Sequence, residues 1–265
     1  MAQSKYEYVK SFEEVSVALP NCWIVVRIDG RGFHEFTSKH DFLKPVDDRG
    51  IGLMNAAASH VMSTYQDIIV AYGQSDEYSF IIHKTSTLFK RRKDKIATTL
   101  VSLFTSFYVA NWKEFFPFSM TSFPSFDARI ICYPSVKNIR DYISWRQVDC
   151  HINNLYNYCY WNLVSGNEKS NTLAMTPTAA EKFLSQTVSA DKNELLFSKF
   201  NINYNSLPEL HKKGSVLYWK KERLLVDGKL TPSGDQVFRD KKVVVIDHCD
   251  VIGESFWESY SVFYD

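Results

Sequence analysis

Two apolar runs in this chain each stop at a short stretch of small and polar residues that contains an aspartate. The first run, residues 22–28, is rich in Val and Ile and leads into Asp29-Gly-Arg-Gly32. The second, residues 68–72, leads into Gly73-Gln-Ser-Asp76-Glu77. Nearly continuous apolar runs of this length are typical of buried strands. Both aspartates are therefore predicted to lie where a buried strand meets a turn.

The periodicity between and beyond these runs constrains the fold. It predicts a strand at 22–28, a helix at 49–66, strands at 67–72 and 78–84, a helix at 91–114, and a strand at 127–133 that ends before Pro134. This β-α-β-β-α-β order is that of the ferredoxin-like unit, in which the third strand lies between the first two. Asp29 and the hairpin carrying Asp76 and Glu77 then fall at the same end of adjacent strands, as in polymerase palm domains and nucleotide cyclases.

Beyond Pro134 the chain changes character. The sequence predicts an aromatic-rich helix at 141–164, a capped helix start at 176–181, a helix at 191–200, a β-hairpin from Gly214 with its turn at Asp227-Gly228, and a strand at 243–246. The predicted class is α+β, with a palm-like catalytic core at 1–134. Residues 135–265 are expected to form a helical and β-hairpin extension packed on the core as a single structural unit.

Composition excludes several classes of protein. The net charge is +1, so any polyanion site must come from a local cluster such as Lys90-Arg-Arg-Lys93 with Lys95. Five scattered cysteines without a CxxC pair favour reduced thiols over a zinc or redox motif. Neither a signal-type segment nor a membrane-spanning run is visible. We expect a protein of the cytoplasm or nucleus with no membrane partner.

Paired carboxylates at one sheet end form a hard anionic site suited to Mg²⁺ and nucleoside triphosphates. In a two-metal site Asp29 and Asp76 would bridge the ions, with the Gly30 carbonyl as a third ligand. Glu77 is open to three interpretations: a ligand, an outer partner of the ligands, or a turn acid. The alternative for the pair is a surface feature, because Asp commonly ends strands and Asp-Gly commonly makes turns.

Basic and aromatic residues near these turns are candidates for nucleotide contacts. Gly30 and Gly32 leave room for a phosphate at the backbone, and Phe33 and His34 could pack on a purine, with core packing as the alternative for Phe33. The cations that could neutralise phosphate are Arg27, Lys44, Arg92 and Lys95. For each of them a solvated surface charge is the alternative.

A polar helix segment, His151-Ile-Asn-Asn-Leu-Tyr-Asn157, is suited to hydrogen bonding and stacking on unpaired bases. A subunit interface explains the same composition equally well. Covalent catalysis by Cys150 with His151 is discounted, because neighbours on a helix point in different directions.

Taken together, these motifs resemble the tRNA-histidine guanylyltransferase family, in its eukaryotic branch, across nearly the whole chain. The matching stretches are Ser4-Lys-Tyr-Glu-Tyr-Val9, Arg27-Ile-Asp-Gly-Arg-Gly-Phe-His-Glu-Phe36, Gly73-Gln-Ser-Asp-Glu-Tyr-Ser-Phe80, Phe89-Lys-Arg-Arg92, Asp141-Tyr-Ile-Ser-Trp-Arg-Gln147, His151–Asn157 and Asn201-Ile-Asn-Tyr-Asn205.

The resemblance implies addition of a guanylate to the 5′ end of tRNA-His by 3′–5′ nucleotide addition. In that chemistry ATP adenylylates the 5′ phosphate, and the GTP 3′ hydroxyl then attacks it. It also implies two Mg²⁺ per active site, ATP and GTP as substrates, and a homotetramer.

Carried onto this chain, the resemblance implies metal binding by Asp29, Gly30 and Asp76, with Asp29, Asp76 and Glu77 as catalytic residues. The implied nucleotide-binding residues are Asp29, Gly30, Arg31, Gly32, Phe33, His34, Lys44, Ser75, Asp76, Arg92 and Lys95. Those implied in activation or tRNA handling are Arg27, His151, Asn157 and Lys192. Two alternatives stay open: template-dependent repair of 5′-truncated tRNAs by the same chemistry, and a non-catalytic tRNA-binding protein.

Overall fold

The computed structural model describes residues 4–166, 172–230 and 236–260, and within them six strands form one antiparallel sheet. The strands are β1 (Trp23–Arg31), β2 (Ile68–Gln74), β3 (Glu77–Ile82), β4 (Ser125–Tyr133), β5 (Ser215–Leu230) and β6 (Gln236–Asp247). Their order across the sheet is β4-β1-β3-β2-β5-β6. The last two strands of the chain therefore extend the sheet built by the first half.

Nine described helices accompany this sheet, some covering its two faces and others packing on another helix. They are α1 (Phe33–Lys39), α2 (Asp48–Thr64), α3 (Lys93–Ala110), α4 (Trp112–Phe115), α5 (Val136–Ser165), α6 (Pro177–Leu184), α7 (Ser189–Phe200), α8 (Glu209–Lys213) and α9 (Glu254–Ser259). Side chains of Asp47, Ser135 and Thr176 accept backbone N–H groups at the starts of α2, α5 and α6. Such caps are preferred at helix starts because the first N–H groups have no partner within the helix.

The ferredoxin-like prediction is confirmed, because β1-α2-β2-β3-α3-β4 gives the order β4-β1-β3-β2 with β3 antiparallel to both neighbours. Alternation along β1 divides its side chains between two cores. Ile24 and Val26 pack with α2 and α3, whereas Trp23 and Val25 pack with the first half of α5. Both faces of the central strands are thereby buried.

The 30-residue helix α5 joins the sheet to the extension. Its first turns lie on the sheet through Ile139 and Ile143, and its last turns pack with α6 and α7 through Leu155 and Leu163. Gln147 sits between these regions, where its amide donates to the carbonyls of Lys213 and Cys249 and accepts the N–H of Val251. One buried side chain thus ties α5 to the ends of α8 and β6.

Several predicted bounds differ from the structure. The predicted turn at Asp227-Gly228 is wrong, since β5 continues to Leu230 and its pairing with β6 is irregular between Leu225 and Leu230. The predicted helix at 91–114 is two helices, α3 and α4, and α5 begins at Val136 because Ser135 caps it. Helix α1 was not predicted; it begins at Phe33, directly after its N-cap Gly32, whose φ of +63° turns the chain out of β1.

The basic cluster at 90–93 is partly structural. The Arg91 guanidinium donates hydrogen bonds to five backbone carbonyls, those of Ala18, Leu19, Cys22, Lys84 and Ser86. Arg91 therefore anchors the segment before β1 and the loop after β3 instead of facing a ligand. None of the described helices is long and apolar enough to cross a membrane.

Candidate active site

The two aspartates of the sequence motifs meet at one end of the sheet. Asp29 is the ladder partner of Glu77, and the Gly30 N–H donates to the Asp76 carbonyl oxygen at 3.1 Å. Ser75, with φ of +51°, makes the turn between β2 and β3 that presents Asp76. Burial raises the pKa of Asp76, its own backbone N–H and Ser75 oppose that rise, and the charge of Asp29 adds to it. The two carboxylates therefore interact electrostatically.

Gly30 is required by close packing at this point. A Cβ on Gly30 would lie 2.4 Å from Phe33 Cδ2 and 2.9 Å from Asp76 Oδ2. Any side chain here would displace the aromatic ring, the carboxylate or both.

The donor set at this end fits magnesium better than a metal held wholly by side chains. Among the described residues, no group of three or more His, Cys, Asp or Glu side chains could hold a metal ion. Mg²⁺ is ordinarily held by one or two carboxylates together with waters and substrate phosphates. Two interacting carboxylates beside the Gly30 carbonyl match that pattern.

A cleft of about 700 Å³ opens beside the aspartates, between the end of the sheet and the wall formed by α5 and α8. This volume is within the range of small-molecule and cofactor sites. Eight predicted site residues line it: Asp29, Phe33, His34, Lys44, Ser75, Asp76, Glu77 and Asn157. The topology therefore brings together residues far apart in sequence.

Phe33 is chiefly a core residue. Its ring centroid lies 5.0 Å from that of Phe36 and 5.2 Å from that of Phe126, and the side chain is buried. His34 is exposed at the cleft. Arg31 and Gly32 line a separate, shallower pocket, so their nucleotide contacts stay predictions.

Lys44 supplies a cation to the cleft. Its Nζ lies 5.2 Å from the centroid of the Trp161 ring, on α5. Burial lowers the pKa of Lys44, and the nearby charge of Asp47 opposes that shift. Lys44 lines the same cleft as Asp29 and Asp76, where its ammonium is suited to attract a phosphate group.

Glu77 belongs to a buried ion cluster. Arg146 Nη1 donates to both Glu77 carboxylate oxygens, at 3.0 and 3.2 Å, and Arg27 Nε lies 3.8 Å from Oε2. Burial raises the pKa of Glu77 despite these two cations. The catalytic role of Glu77 and the activation role of Arg27 stay predictions, and the contacts seen are those of groups that position the β2–β3 hairpin.

Arg92 and Lys95 lie at the opposite end of the sheet from the aspartates. The strand β3 leads away from the Asp29 end, and α3 begins only after it, at Lys93. Five residues of strand separate the level of Glu77 from that of Ile82, which is about 17 Å at ~3.4 Å per residue. Within one chain these two cations are not brought to the cleft.

The residues predicted to handle tRNA are scattered. Asn157 lines the cleft, whereas His151 is not among its lining residues. The His151 Nδ1 atom lies 3.3 Å from Tyr204 Oη. Burial lowers the pKa of His151, and the charge of Lys212 lowers it further. Lys192 Nζ donates to the carbonyl and hydroxyl oxygens of Thr187, both at 2.8 Å, and so holds the turn before α7.

Sequence reasoning missed several cleft residues. Asp47 lines the cleft, is nearly buried and caps α2. Tyr108 also lines the cleft, and its buried hydroxyl has no hydrogen-bond partner among the described residues. No local motif marks Tyr108, because the sequence pattern indicates only another apolar position on the helix α3. Arg146 does stand in a motif, Trp145-Arg-Gln147, but only the fold shows that it reaches Glu77. Burial raises the pKa of the Cys150 thiol to about 12, in agreement with discounting a cysteine nucleophile.

A palm-type sheet with two interacting aspartates at its end, beside a cleft of nucleotide size, defines a nucleotidyltransferase. Comparison with known proteins gives the family. A family model described as tRNAHis guanylyltransferase matches residues 6–134, and one described as the Thg1 C terminal domain matches residues 137–253. The chain belongs to the tRNA(His) guanylyltransferase family, as its motifs predict.

Individual relatives match over nearly their full length. The chain is 52% identical to the probable tRNA(His) guanylyltransferase of Dictyostelium discoideum, over 98% of this chain and 97% of that protein. It is 49% identical to the tRNA(His) guanylyltransferase of Schizosaccharomyces pombe, over 98% and 97% respectively. The crystal structure of the Saccharomyces cerevisiae tRNA(His) guanylyltransferase superposes with a TM-score of 0.75 at 50% identity, covering 81% of this chain and 93% of that one.

A more distant structure shares the fold. The bacterial guanylyltransferase-like protein solved in complex with ATP gives a TM-score of 0.73 at 22% identity, over 98% of this chain and 97% of that chain.

Proposed function

We propose that this chain adds a guanylate to the 5′ end of tRNA-His in the 3′–5′ direction. Its near full-length similarity to tRNA(His) guanylyltransferases supports the substrate. The observation that carries the chemistry is the meeting of Asp29 and Asp76, joined by the Gly30 N–H to Asp76 carbonyl bond. ATP and GTP are the proposed nucleotides, and a bacterial protein of the same fold has been solved with each.

The reaction would proceed in three displacements. The 5′ phosphate of the tRNA attacks the α-phosphate of ATP and releases pyrophosphate, and the GTP 3′ hydroxyl then attacks the adenylylated end and releases AMP. Water finally attacks the 5′ triphosphate of the added nucleotide, which releases pyrophosphate and leaves a 5′ monophosphate. Asp29 and Asp76, with the Gly30 carbonyl, would hold two Mg²⁺, which when bound polarise the attacking oxygen and offset triphosphate charge. Lys44 and Ser75 would fix the phosphates against them.

We also propose a homotetramer. Arg92 and Lys95 lie about a strand's length from the aspartates of their own chain, so a contribution from them to an active site requires another subunit. Exposed apolar side chains at Tyr6, Tyr8 and Phe12 are consistent with burial between subunits. Residence in the cytoplasm or nucleus remains a prediction.

The test is incorporation of labelled GTP into 5′-monophosphorylated tRNA-His with ATP and Mg²⁺. Asp29→Asn and Asp76→Asn should each lower the rate by roughly 10³-fold or more, since ligand loss removes several kcal/mol of charge stabilisation. Asp127→Asn is the matched control, because Asp127 is the β4 ladder partner of Asp29 and does not line the cleft.

The outcomes separate the alternatives. Extension of 5′-truncated tRNAs of any identity, without preference for tRNA-His, would favour end repair. Binding of tRNA by the intact protein without any incorporation would refute catalysis and favour a binding protein. Full activity in both Asn variants would refute the assignment of the site.

A further inference from the structure

The strands β5 and β6 form a two-stranded ribbon that leaves the sheet. Only Ser215–Tyr218 of β5 pair with β2; beyond Tyr218, in the part of the chain the structure describes, β5 pairs with β6 alone. The segments 220–223 and 239–242 of this ribbon are exposed on both strands. We call them the basic ribbon.

The basic ribbon concentrates positive charge. Its eight residues contain six Lys or Arg and two acids, an excess of four positive charges in a chain whose net charge is +1. The remainder of the protein is therefore negative overall. Bulk charge hides this local asymmetry, which is the kind of cluster that recognises a polyanion.

The strand register shows which of these basic residues have no acidic residue opposite them on the neighbouring strand. Glu222 faces Lys241, and Asp240 faces Arg223, so both acids oppose a base. The four that remain have no acid across the ladder: Lys220 faces Val243, Arg239 faces Leu224, and Lys221 faces Lys242. None of these four takes part in an ion pair with another described residue.

The Lys221–Lys242 pair is informative because directly opposed like charges destabilise a ladder. Their Cβ atoms are ordinarily only about 4.5–5.5 Å apart in such a pair. An anion bound between or beside the two ammonium groups would remove that repulsion. The ribbon is thus arranged for a negatively charged partner and not for its own stability.

Position identifies the kind of anion. Ser215 pairs with Gly73 at the aspartate end of the sheet, and β5 runs from there toward the end where α3 begins. Lys221 is six residues beyond Ser215, about 20 Å at ~3.4 Å per residue. A single nucleotide at Asp29 cannot reach the ribbon, but an RNA held at its 5′ end is long enough.

We propose that the basic ribbon binds the phosphate backbone of the RNA substrate at a point remote from the reacting 5′ end. This rests on the proposed function, since it takes RNA as the substrate. The ribbon presents two unmatched cations on each of its faces, as the alternation of side chains requires. The contact is therefore with phosphates in general and does not read sequence.

The test compares tRNA binding by the full-length protein and by K220Q/K221Q/R239Q/K242Q over a range of salt concentrations. Each lost phosphate contact should reduce the slope of log Kd against log salt by about one. Loss of two contacts would weaken binding roughly 60-fold at 0.1 M salt, on a slope of ~0.9 per contact. The incorporation rate at saturating tRNA should be unchanged.

The matched control is K113Q/K137Q/K182Q/K199Q, which removes the same charge from four exposed lysines on other elements. A Kd within twofold of that of the intact protein together with an unchanged salt slope in the ribbon variant, or equal losses in the control, would overturn the proposal. So would a change in assembly mass by ultracentrifugation without a change in salt slope, since the ribbon would then contact another subunit.

A second variant protects the test against misfolding. K221Q/K242Q removes only the like-charge pair and should leave Tm equal or higher while still lowering the salt slope; a lower Tm with an unchanged slope would overturn the proposal. Failure of the proposed function gives a different result. In that case the intact protein itself would not incorporate guanylate, whereas failure of the ribbon proposal alone leaves an active protein with unaltered tRNA binding.

Discussion

The Arg146→Met substitution would remove the guanidinium that holds Glu77 behind the candidate active site. Arg146 is 6% exposed in its side chain and Glu77 11%, and their two hydrogen bonds measure 3.0 and 3.2 Å. Methionine fills similar volume without charge or donors. The buried carboxylate would keep only Arg27, whose Nε is 3.8 Å away and has no hydrogen-bond partner in the described chain.

The expected loss in the free energy of unfolding is about 3–5 kcal/mol, the usual cost of leaving one member of a buried ion pair without its partner. Because Arg27 still partly compensates the charge of Glu77, the expected loss lies near the bottom of that range. Because whole-domain stabilities are ordinarily about 5–15 kcal/mol, the variant should remain folded but with a clearly lower midpoint.

A double-mutant cycle with Glu77→Gln isolates the interaction. Urea unfolding followed by circular dichroism should show that E77Q/R146M is more stable than R146M alone, because the double variant buries no unpaired carboxylate. The reasoning would be refuted if R146M lost less than about 1 kcal/mol, or if the two single losses simply added in the double variant.

Three further predictions concern Gly30, Asp47 and Arg91. Gly30→Ala should lower guanylate incorporation at least tenfold with a loss of Tm, measured by the labelled-GTP assay and a thermal melt, because its Cβ would meet Asp76 Oδ2 at 2.9 Å. In urea titrations, Asp47→Asn should lower the free energy of unfolding by about 1.5–3 kcal/mol at pH 7, and this loss should shrink as the pH falls through the folded-state pKa of Asp47. Burial opposes ionisation of Asp47, but Arg49 and backbone N–H groups lower its pKa overall, so its contribution exists above the unfolded pKa and disappears as pH falls through the folded one. Arg91→Ala should lower the free energy of unfolding by about 3–5 kcal/mol in the same titrations, because five backbone carbonyls lose their hydrogen-bond donor. Arg91→Lys should not restore stability, because an ammonium cannot reproduce the planar set of guanidinium donors. A loss under 1 kcal/mol in Arg91→Ala would contradict this.

The convergence of Asp29 and Asp76 could be predicted because it follows from topology alone. Apolar periodicity gives the element order, the right-handed crossover gives the strand order, and both aspartates then fall at one end of adjacent strands. Local sequence marks Lys44 only as one of several candidate cations and Asn157 only as one of several polar residues on a helix, because each reaches the cleft by a tertiary contact.

Other site residues could not be predicted because local patterns do not encode direction. Arg92 and Lys95 are three residues apart at the start of α3, yet this spacing does not say at which end of the sheet that helix begins. Asp76 and Glu77 are neighbours, but Asp76 lies against Gly30 on the α3 side while Glu77 meets Arg146 on the α5 side. The Asp227-Gly228 turn signal failed because an irregularity in the ladder accommodates it.

Helix α5 explains why two separate sequence motifs serve one site. At ~1.5 Å per residue its 30 residues span about 45 Å, so its two halves belong to one rigid rod. The first half holds Glu77 through Arg146, and the second lines the cleft with Asn157 and Trp161, which faces Lys44. The hairpin that presents Asp76 and the wall opposite it are therefore positioned by the same element. A change at Arg146 should alter nucleotide KM as well as stability, although Arg146 itself does not line the cleft.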